Sequence, residues 1–165
     1  MKKKNNLRTK WDYTSLAKDY DNRADYSKIL IKEILKKIKC KENYSVAEIG
    51  AGTGKLTKEL VKKKLIIKAV EPNEAMRKIG VKNINKIKKN NVTWIAGTGE
   101  KNSLENNSYY AVFFGSSFNV VNYEKIFKEI RRILIKDGYF CCMWNHRYLK
   151  NNLQKSIEKI IFNEI

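Results

Sequence analysis

Two patterns of hydrophobic and polar positions alternate along the chain. Between the strand-like runs, apolar residues recur every three or four positions, which predicts amphipathic helices. Short, nearly continuous apolar runs are typical of parallel strands that are buried on both faces, and the chain has five: YSVAEIG, LIIKAVE, NVTWIAG, YYAVFFG and YFCCMWN. Strands that alternate with helices form a parallel sheet covered by helices. The pattern therefore predicts the α/β class.

The helix boundaries are predicted from capping residues and glycines. Ser27 is the expected N-cap of the first long helix, whose apolar stripe comprises Ile29, Leu30, Ile34, Leu35 and Ile38. The stretch KLTKELVKKK predicts a helix with Leu56, Leu60 and Val61 on one face. Asn73 is the expected N-cap of the helix NEAMRKIG, and Gly80 is its expected end.

Two further helices are expected in the second half of the chain. The stretch YEKIFKEIRRILIKDG predicts an amphipathic helix that ends at Asp137-Gly138, with an apolar stripe of Ile126, Phe127, Ile130, Ile133 and Leu134. A basic helix from Leu149 to Asn163 follows the fifth strand.

A glycine-rich turn follows the first predicted strand, in VAEIGAGTGKLT. A P-loop needs a glycine five residues before Gly54 and a hydroxyl after the lysine, but those positions hold Ile49 and Leu56. The dinucleotide fingerprint G-x-G-x-x-G starts at Gly50 but has Lys55 in its sixth position. What remains is an acidic residue followed by three alternating glycines, which lets a ligand lie against bare backbone.

A second acidic residue strengthens this interpretation. Glu71 ends the second predicted strand, LIIKAVE. The carboxyl ends of parallel strands meet at one edge of a sheet, where open α/β folds bind their ligands. A carboxylate there can accept hydrogen bonds from the two hydroxyls of a ribose.

With these motifs, the chain from about Trp11 to Tyr148 resembles the class I S-adenosylmethionine-dependent methyltransferases, particularly the small-molecule branch. The resemblance implies a doubly wound, Rossmann-like, mostly parallel sheet of about five strands in the order 3-2-1-4-5, with helices on both faces. The segment YDNRADY is similar to that branch's N-terminal cofactor lid, which also makes Tyr26 a candidate to cover the cofactor. The cofactor-binding residues that the resemblance implies are Tyr20, Arg23, Glu48, Gly50, Ala51, Gly52, Gly54, Glu71, Pro72, Met76, Thr98, Gly99, Glu100 and Ser116.

The chain departs from the family pattern in several places. Thr98 stands where an aspartate is common, so the adenine contact is expected from Gly99 or Glu100. The usual strands six and seven are expected to be absent, which leaves strand five as an exposed edge open to self-association. We expect one domain over 1–165: a basic tail and lid (1–26), a cofactor-binding core (27–148) and a C-terminal helix (149–165) with the fold incomplete.

The methyl acceptor is harder to infer than the cofactor. Methyl transfer from a sulfonium is an in-line displacement that depends mainly on alignment and on exclusion of water. A general base is needed only for an unactivated acceptor. The catalytic residues are therefore unassigned, with His146 and Asn119 as candidates near the acceptor edge. The expected cofactor is S-adenosyl-L-methionine, the product S-adenosyl-L-homocysteine, and no metal is expected.

Composition and charge limit the partners and the compartment. No apolar run reaches the ~18 residues needed to cross a membrane, and three cysteines without C-x-x-C spacing are typical of free thiols in the cytoplasm. The net charge of +18 admits RNA. However, only 6 of the 35 basic residues are arginine, the side chain that phosphate and base recognition favours. A small-molecule acceptor is preferred.

Three alternatives remain at this point. The acceptor can be RNA or protein instead of a small molecule. The chain can also be a catalytically inactive remnant that binds the cofactor or a partner. An NAD-dependent oxidoreductase is a more distant alternative, because the sixth-position glycine is missing from the turn.

Overall fold

A parallel sheet of five strands forms the centre of the protein. The structure is a computed structural model that describes residues 13–88, 90–145 and 151–163. All neighbouring strands pair in parallel, in the order β3-β2-β1-β4-β5. The strands are β1 (Ser45–Ile49), β2 (Ile66–Val70), β3 (Val92–Ile95), β4 (Tyr109–Gly115) and β5 (Leu134–Met143). The predicted fold class and strand order are confirmed.

Helices cover both faces of this sheet. The helices of the described residues are α1 (Ala17–Tyr20), α2 (Lys28–Lys37), α3 (Lys55–Val61), α4 (Glu74–Asn85), α5 (Tyr123–Ile133) and α6 (Asn152–Asn163), with a short 3₁₀ turn at Phe118–Val120. One core joins α2, α3 and α4 to strand residues such as Val46. The other joins α5 to residues of the opposite strand face, such as Ala47. Neighbours along β1 thus point to opposite cores, as period-two alternation requires.

The predicted capping residues are in place. The Ser27 hydroxyl accepts a hydrogen bond from the backbone N–H of Leu30 at the start of α2. The Asn73 side chain accepts one from Met76 N–H at the start of α4. Side-chain oxygens at these positions satisfy backbone donors that have no partner inside the helix.

The buried stripe of α2 differs from the prediction. Ile29 and Leu30 are exposed, whereas Ile31, Leu35 and Ile38 are buried. These three residues are spaced by four and three positions, so they lie on one face of the helix. The prediction missed Ile31 because a run of three consecutive apolar residues, Ile29 to Ile31, does not by itself determine which of them face the core.

Gly80 was predicted to end α4, and this prediction is wrong. The helix continues to Asn85. A Cβ on Gly80 would overlap the ring of Trp94, on β3. Gly80 therefore allows the helix to approach the indole closely, and its lack of a side chain serves packing rather than termination.

The boundary between α5 and β5 is also corrected. The helix ends at Ile133, and Leu134 already pairs with Tyr109 in the sheet. Asp137 and Gly138 lie inside β5, where the register shifts so that Tyr139 pairs with Ala111. Phe127 is half exposed, whereas Ile126, Ile130 and Ile133 are buried as predicted.

Candidate functional site

The predicted cofactor residues meet at the carboxyl edge of the sheet. The turn after β1, the end of β2 and the loops after β3 and β4 all lie at this edge, because the four strands run parallel. Sites in open α/β folds form at this edge. The fold therefore brings together candidate residues from distant parts of the chain. Tyr20 and Ser116, for example, are 96 positions apart in the sequence.

The glycine turn after β1 has the backbone conformation that its sequence predicts. Gly50, Gly52 and Gly54 all have positive φ, at +70°, +58° and +83°. A Cβ on Gly50 would lie 2.5 Å from the Cβ of Ser117, in the loop after β4. Glycine is therefore required at Gly50 both by the conformation and by the neighbouring loop.

Glu71 lies against this turn at the end of β2. Its Oε2 accepts a hydrogen bond from Gly52 N–H at 2.8 Å, and its Oε1 accepts one from Asn73 N–H at 2.8 Å. Burial raises the pKa of Glu71, opposed by these two hydrogen bonds and by Arg77. Each carboxylate oxygen keeps a free lone pair, since a carboxylate has about four acceptor sites. Glu71 can therefore accept two ribose hydroxyls while the backbone holds it in position.

Glu48 is the more deeply buried of the two acids. It is 1% exposed on β1 and accepts a hydrogen bond from the Thr57 hydroxyl at 2.7 Å. Burial raises the pKa of Glu48 to about 8, and the nearby Glu71 adds to this effect. Glu48 thus joins β1 to α3 beneath the glycine turn, with its carboxyl group neutral below that pH.

An N-terminal segment crosses above the glycine turn. We call residues 13–26 the strap. A Cβ on Gly52 would lie 3.4 Å from Met76 Cε and 4.0 Å from a ring carbon of Tyr20. The guanidinium of Arg23 stacks on the Tyr20 ring at 4.5 Å, and the Tyr13 ring meets it edge-on. The predicted lid residue Tyr20 thus lies next to the bare backbone of Gly52, and Arg23 lies against its ring.

The loop after β3 contains the three residues predicted to border adenine. Gly99 is buried, and a Cβ there would lie 3.0 Å from Ile49 at the end of β1. The Thr98 hydroxyl accepts a hydrogen bond from Lys101 N–H. Glu100 accepts one from Asn122 N–H at 2.7 Å. This loop therefore reaches the glycine turn through Gly99, while Glu100 ties it to the start of α5.

The loop after β4 completes the edge. The Tyr26 hydroxyl donates a hydrogen bond to the Ser116 hydroxyl at 3.0 Å, so the strap ends on this loop. Ser117 donates to the carbonyl of Ile49 at 2.6 Å. Asn119 is exposed in the 3₁₀ turn that follows. Ser116 thus borders the predicted cofactor site, and Asn119 faces solvent.

Two further predicted residues are Pro72 and His146. His146 falls outside the described residues. Pro72 is exposed beside Glu71, and the Arg77 guanidinium donates to both of their carbonyls. In the described part of the chain, no group of three His, Cys, Asp or Glu side chains could hold a metal ion, and no helix could span a membrane. The three cysteines are free thiols, and burial raises the pKa of each.

The residues that hold the strap were not predicted from the sequence. They act through partners far along the chain, so no local spacing reveals them. Hydrogen bonds join Asp21 to Asn83 and the carbonyls of Ala24 and Asp25 to Asn145. The abundance of Asp and Asn in the segment is the one available signal, since short polar side chains bond readily to backbone and loops.

The comparisons with known proteins agree with this geometry. Residues 47–142, more than half of the chain, match a family described as a methyltransferase domain. The chain belongs to this methyltransferase family. The match begins one residue before Glu48 and ends near the end of β5, so it contains the glycine turn and Glu71. The predicted class I S-adenosylmethionine-dependent methyltransferase family is confirmed.

One curated relative is an uncharacterised methyltransferase of Mycobacterium tuberculosis. It is 31% identical over 102 residues, which are 62% of this chain and 40% of that protein. A second, from Schizosaccharomyces pombe, is 29% identical over 133 residues, 78% of this chain and 50% of that protein. The methyltransferase domain described here thus spans half or less of the length of these relatives.

Solved structures share the fold. A methyltransferase of Aquifex aeolicus superposes with a TM-score of 0.69 at 21% identity, covering 93% of this chain and 88% of that one. Haemonchus contortus phosphoethanolamine N-methyltransferase 2, solved with phosphomonomethylethanolamine and S-adenosylhomocysteine, superposes with a TM-score of 0.67 at 19% identity. The overlap with the second covers 87% of this chain and 36% of that one.

Proposed function

We propose that this methyltransferase domain binds S-adenosylmethionine at the glycine turn and transfers its methyl group to a small-molecule acceptor. The observation that carries the proposal is Glu71, whose buried carboxylate is held against the turn by Gly52 and Asn73. A carboxylate so placed at the end of β2 suits the two hydroxyls of a ribose. The bare backbone at Gly50 and Gly52 leaves room for a ligand to approach closely.

The chain's own residues would orient the cofactor and exclude water. The chemistry that the cofactor supplies when bound is an electrophilic methyl group on a positively charged sulfur. Glu71 would accept the ribose hydroxyls, and residues 98–100 would border the adenine. Tyr20 and Arg23 would cover the site, which keeps water from competing with the acceptor. Alignment of the acceptor with the methyl group then accounts for most of the catalysis.

The small-molecule acceptor is supported by the strap and by one structural neighbour. A segment that lies across the cofactor turn suits a reaction on a small, enclosed substrate better than one on a polymer. The Haemonchus enzyme, whose structure contains phosphomonomethylethanolamine, shares this fold. Asn119, beyond β4, and His146, beyond β5, remain our candidates for contacts with the acceptor.

An RNA acceptor is the second candidate, because the chain is strongly basic. A lysine-lined cleft between α2 and α3 involves Lys32, Lys36, Lys62 and Lys63. This cleft lies at the amino ends of the strands, since it also includes Leu65 just before β2. It is therefore at the edge opposite to the glycine turn. A strand of RNA bound there would not present a base to the cofactor, so we prefer the small-molecule acceptor.

The first test is calorimetric titration of the protein with S-adenosylhomocysteine, with NAD as the control ligand. We expect micromolar binding of the first and none of the second. A folded protein that binds neither would contradict the proposal and favour an inactive remnant. Binding of NAD alone would favour an oxidoreductase.

The ribose contact is tested by Glu71→Gln. A hydrogen bond to a charged group contributes about 1.5–3 kcal/mol, so the affinity for S-adenosylhomocysteine should fall about 10- to 100-fold. Glu74→Gln is the matched control, because Glu74 is an exposed acid three residues away on α4. Equal affinities for Glu71→Gln and the wild type, measured by the same calorimetry, would exclude the ribose assignment.

A further inference from the structure

The strap is attached to the rest of the protein mainly by polar contacts. Of residues 13–26, only Ala17 is buried. Hydrogen bonds join Thr14 to Asn73 and Asp21 to Asn83, each at 3.0 Å. A segment with few buried apolar contacts opens at a low free-energy cost. The polar contacts therefore decide how long the strap stays closed.

One ion pair connects the strap directly to the end of the glycine turn. Lys55 follows Gly54 and is the first residue of α3. Its ammonium lies 3.1 Å from Oδ1 of Asp25, and that of Lys58 lies 3.8 Å from the other oxygen. The Lys55 side chain is 17% exposed, whereas that of Asp25 is 52% exposed. The hydrogen bond from Lys55 lowers the pKa of Asp25, so the Asp25 carboxylate is ionised at neutral pH.

Asp25 lies between the strap residues that border the site. Tyr20, which lies over Gly52, precedes it by five residues. Tyr26, which donates to Ser116, follows it directly. Restraining Asp25 therefore restrains both tyrosines relative to the turn.

We propose that Lys55 is a positioning residue that holds the strap closed over the bound cofactor, acting through Asp25. The inference rests on the proposed function for the identity of the ligand. It also gives a role to the lysine whose place after the glycines resembles a P-loop. The positive charge of Lys55 is neutralised by the strap's own carboxylate, so it serves closure rather than phosphate binding.

The test uses Lys55→Met, which keeps an unbranched side chain only one atom shorter and removes its charge. Exposed ion pairs are weak, so we expect the affinity for S-adenosylhomocysteine to fall only about two- to fivefold. The dissociation rate, measured by stopped flow, should rise by the same factor. Lys78→Met is the matched control, because it breaks an exposed ion pair with Glu74 that does not touch the strap.

Limited trypsin digestion, resolved by site with mass spectrometry, provides a readout that does not depend on the ligand. Lys18 and Arg23 are the trypsin sites within the strap. In the ligand-free protein, cleavage at these two sites should be faster in Lys55→Met than in the wild type and in Lys78→Met. Equal cleavage rates in all three proteins would overturn the proposal.

A charge exchange separates the ion pair from a general loss of stability. The double variant Asp25→Lys/Lys55→Asp should restore slow dissociation and slow cleavage after Lys18 and Arg23, whereas each single change should not. Cleavage at the trypsin site that Asp25→Lys adds is scored separately by mass spectrometry. Failure of the exchange together with normal behaviour of Lys55→Met would contradict the proposal. If the wild type does not bind S-adenosylhomocysteine, the proposed function fails, and the digestion of the ligand-free protein still decides whether Lys55 holds the strap.

Discussion

At the scale of single residues, two buried acids lie near the candidate site and differ in their surroundings. Glu71 receives two backbone N–H groups at its carboxylate, whereas Glu48 receives its hydrogen bonds from Thr57 and is buried among apolar strands. This burial raises the pKa of Glu48 to about 8. At Glu71 the two N–H groups oppose the effect of burial on the pKa, which is still raised, whereas at Glu48 burial dominates and keeps the carboxyl group neutral at pH 7.

This difference predicts a dependence of stability on pH. The unfolded chain releases the Glu48 proton near pH 4.5, and the folded protein keeps it up to about pH 8. The folded state therefore binds more protons between these values, and the free energy of unfolding falls as the pH rises through this range. In Glu48→Gln the contribution of this residue to the pH dependence should disappear. The free energy of unfolding of both proteins is measured by denaturant unfolding at pH 5 and at pH 8.5.

The free energy of unfolding of Glu48→Gln relative to that of the wild type should be on the order of a few kcal/mol more favourable at pH 8.5 than at pH 5. Glu74→Gln serves as the control, because Glu74 is exposed and its pKa is lowered, so it is ionised throughout this range. Stability curves for Glu48→Gln and the wild type that run parallel from pH 5 to 8.5 would contradict the assignment.

At the scale of elements, the sequence predicted where helices and strands lie better than where they end. Caps with their own local signature, Ser27 and Asn73, were found from the sequence. Gly80 and the Asp137-Gly138 pair carry the same signature as a helix end, but neither ends a helix. Tertiary contacts determine the conformation at these positions. Gly80 lies inside α4 against Trp94, and Gly138 lies in a strand paired with β4.

The contact between α4 and β3 is tested by Gly80→Ala. In an unconstrained helix this change would be stabilising by up to about 1 kcal/mol. Here the added methyl group overlaps the indole of Trp94, and overpacking costs about 1–3 kcal/mol. We therefore expect a net loss in the free energy of unfolding, measured by urea denaturation. Lys82→Ala, at an exposed position of the same helix, should have little effect.

A double variant identifies the partner. If the overlap causes the loss, Trp94→Leu should cost less in the Gly80→Ala background than in the wild type, because contacting residues are not additive. A stabilising Gly80→Ala, or strict additivity with Trp94→Leu, would exclude this packing explanation.

At the scale of the whole molecule, β5 is an edge strand of the described sheet and carries exposed aromatic residues. Phe127 on α5 is 50% exposed and Phe140 on β5 is 38% exposed, and their rings meet at 5.9 Å. Phe118 contacts both rings. An exposed edge with such a patch favours association, whereas the net charge of +18 opposes it.

Self-association through β5 therefore stays a prediction, and its extent is expected to depend on the salt concentration. Sedimentation velocity should detect association that increases with ionic strength, because salt screens the repulsion between like charges. Phe127→Lys should suppress it. Ile29→Lys, at a 75% exposed position on the other side of the sheet, is the control. A protein that is monomeric at all salt concentrations, or an equal effect of Ile29→Lys, would contradict the prediction.

The sequence by itself determined the fold class, the strand order implied by the family resemblance, the glycine turn and Glu71. Apart from the strand order, which only the resemblance supplied, these features depend on residues close together in the chain: the apolar periodicity, three alternating glycines and an acid at the end of a strand. The tertiary structure decided the role of Gly80, the burial of Ile31, the irregularity of β5 and every contact of the strap. Those features depend on contacts between residues far apart in the chain. Asp25, for example, contacts Lys55, 30 residues away, and no local sequence pattern predicts such a pair.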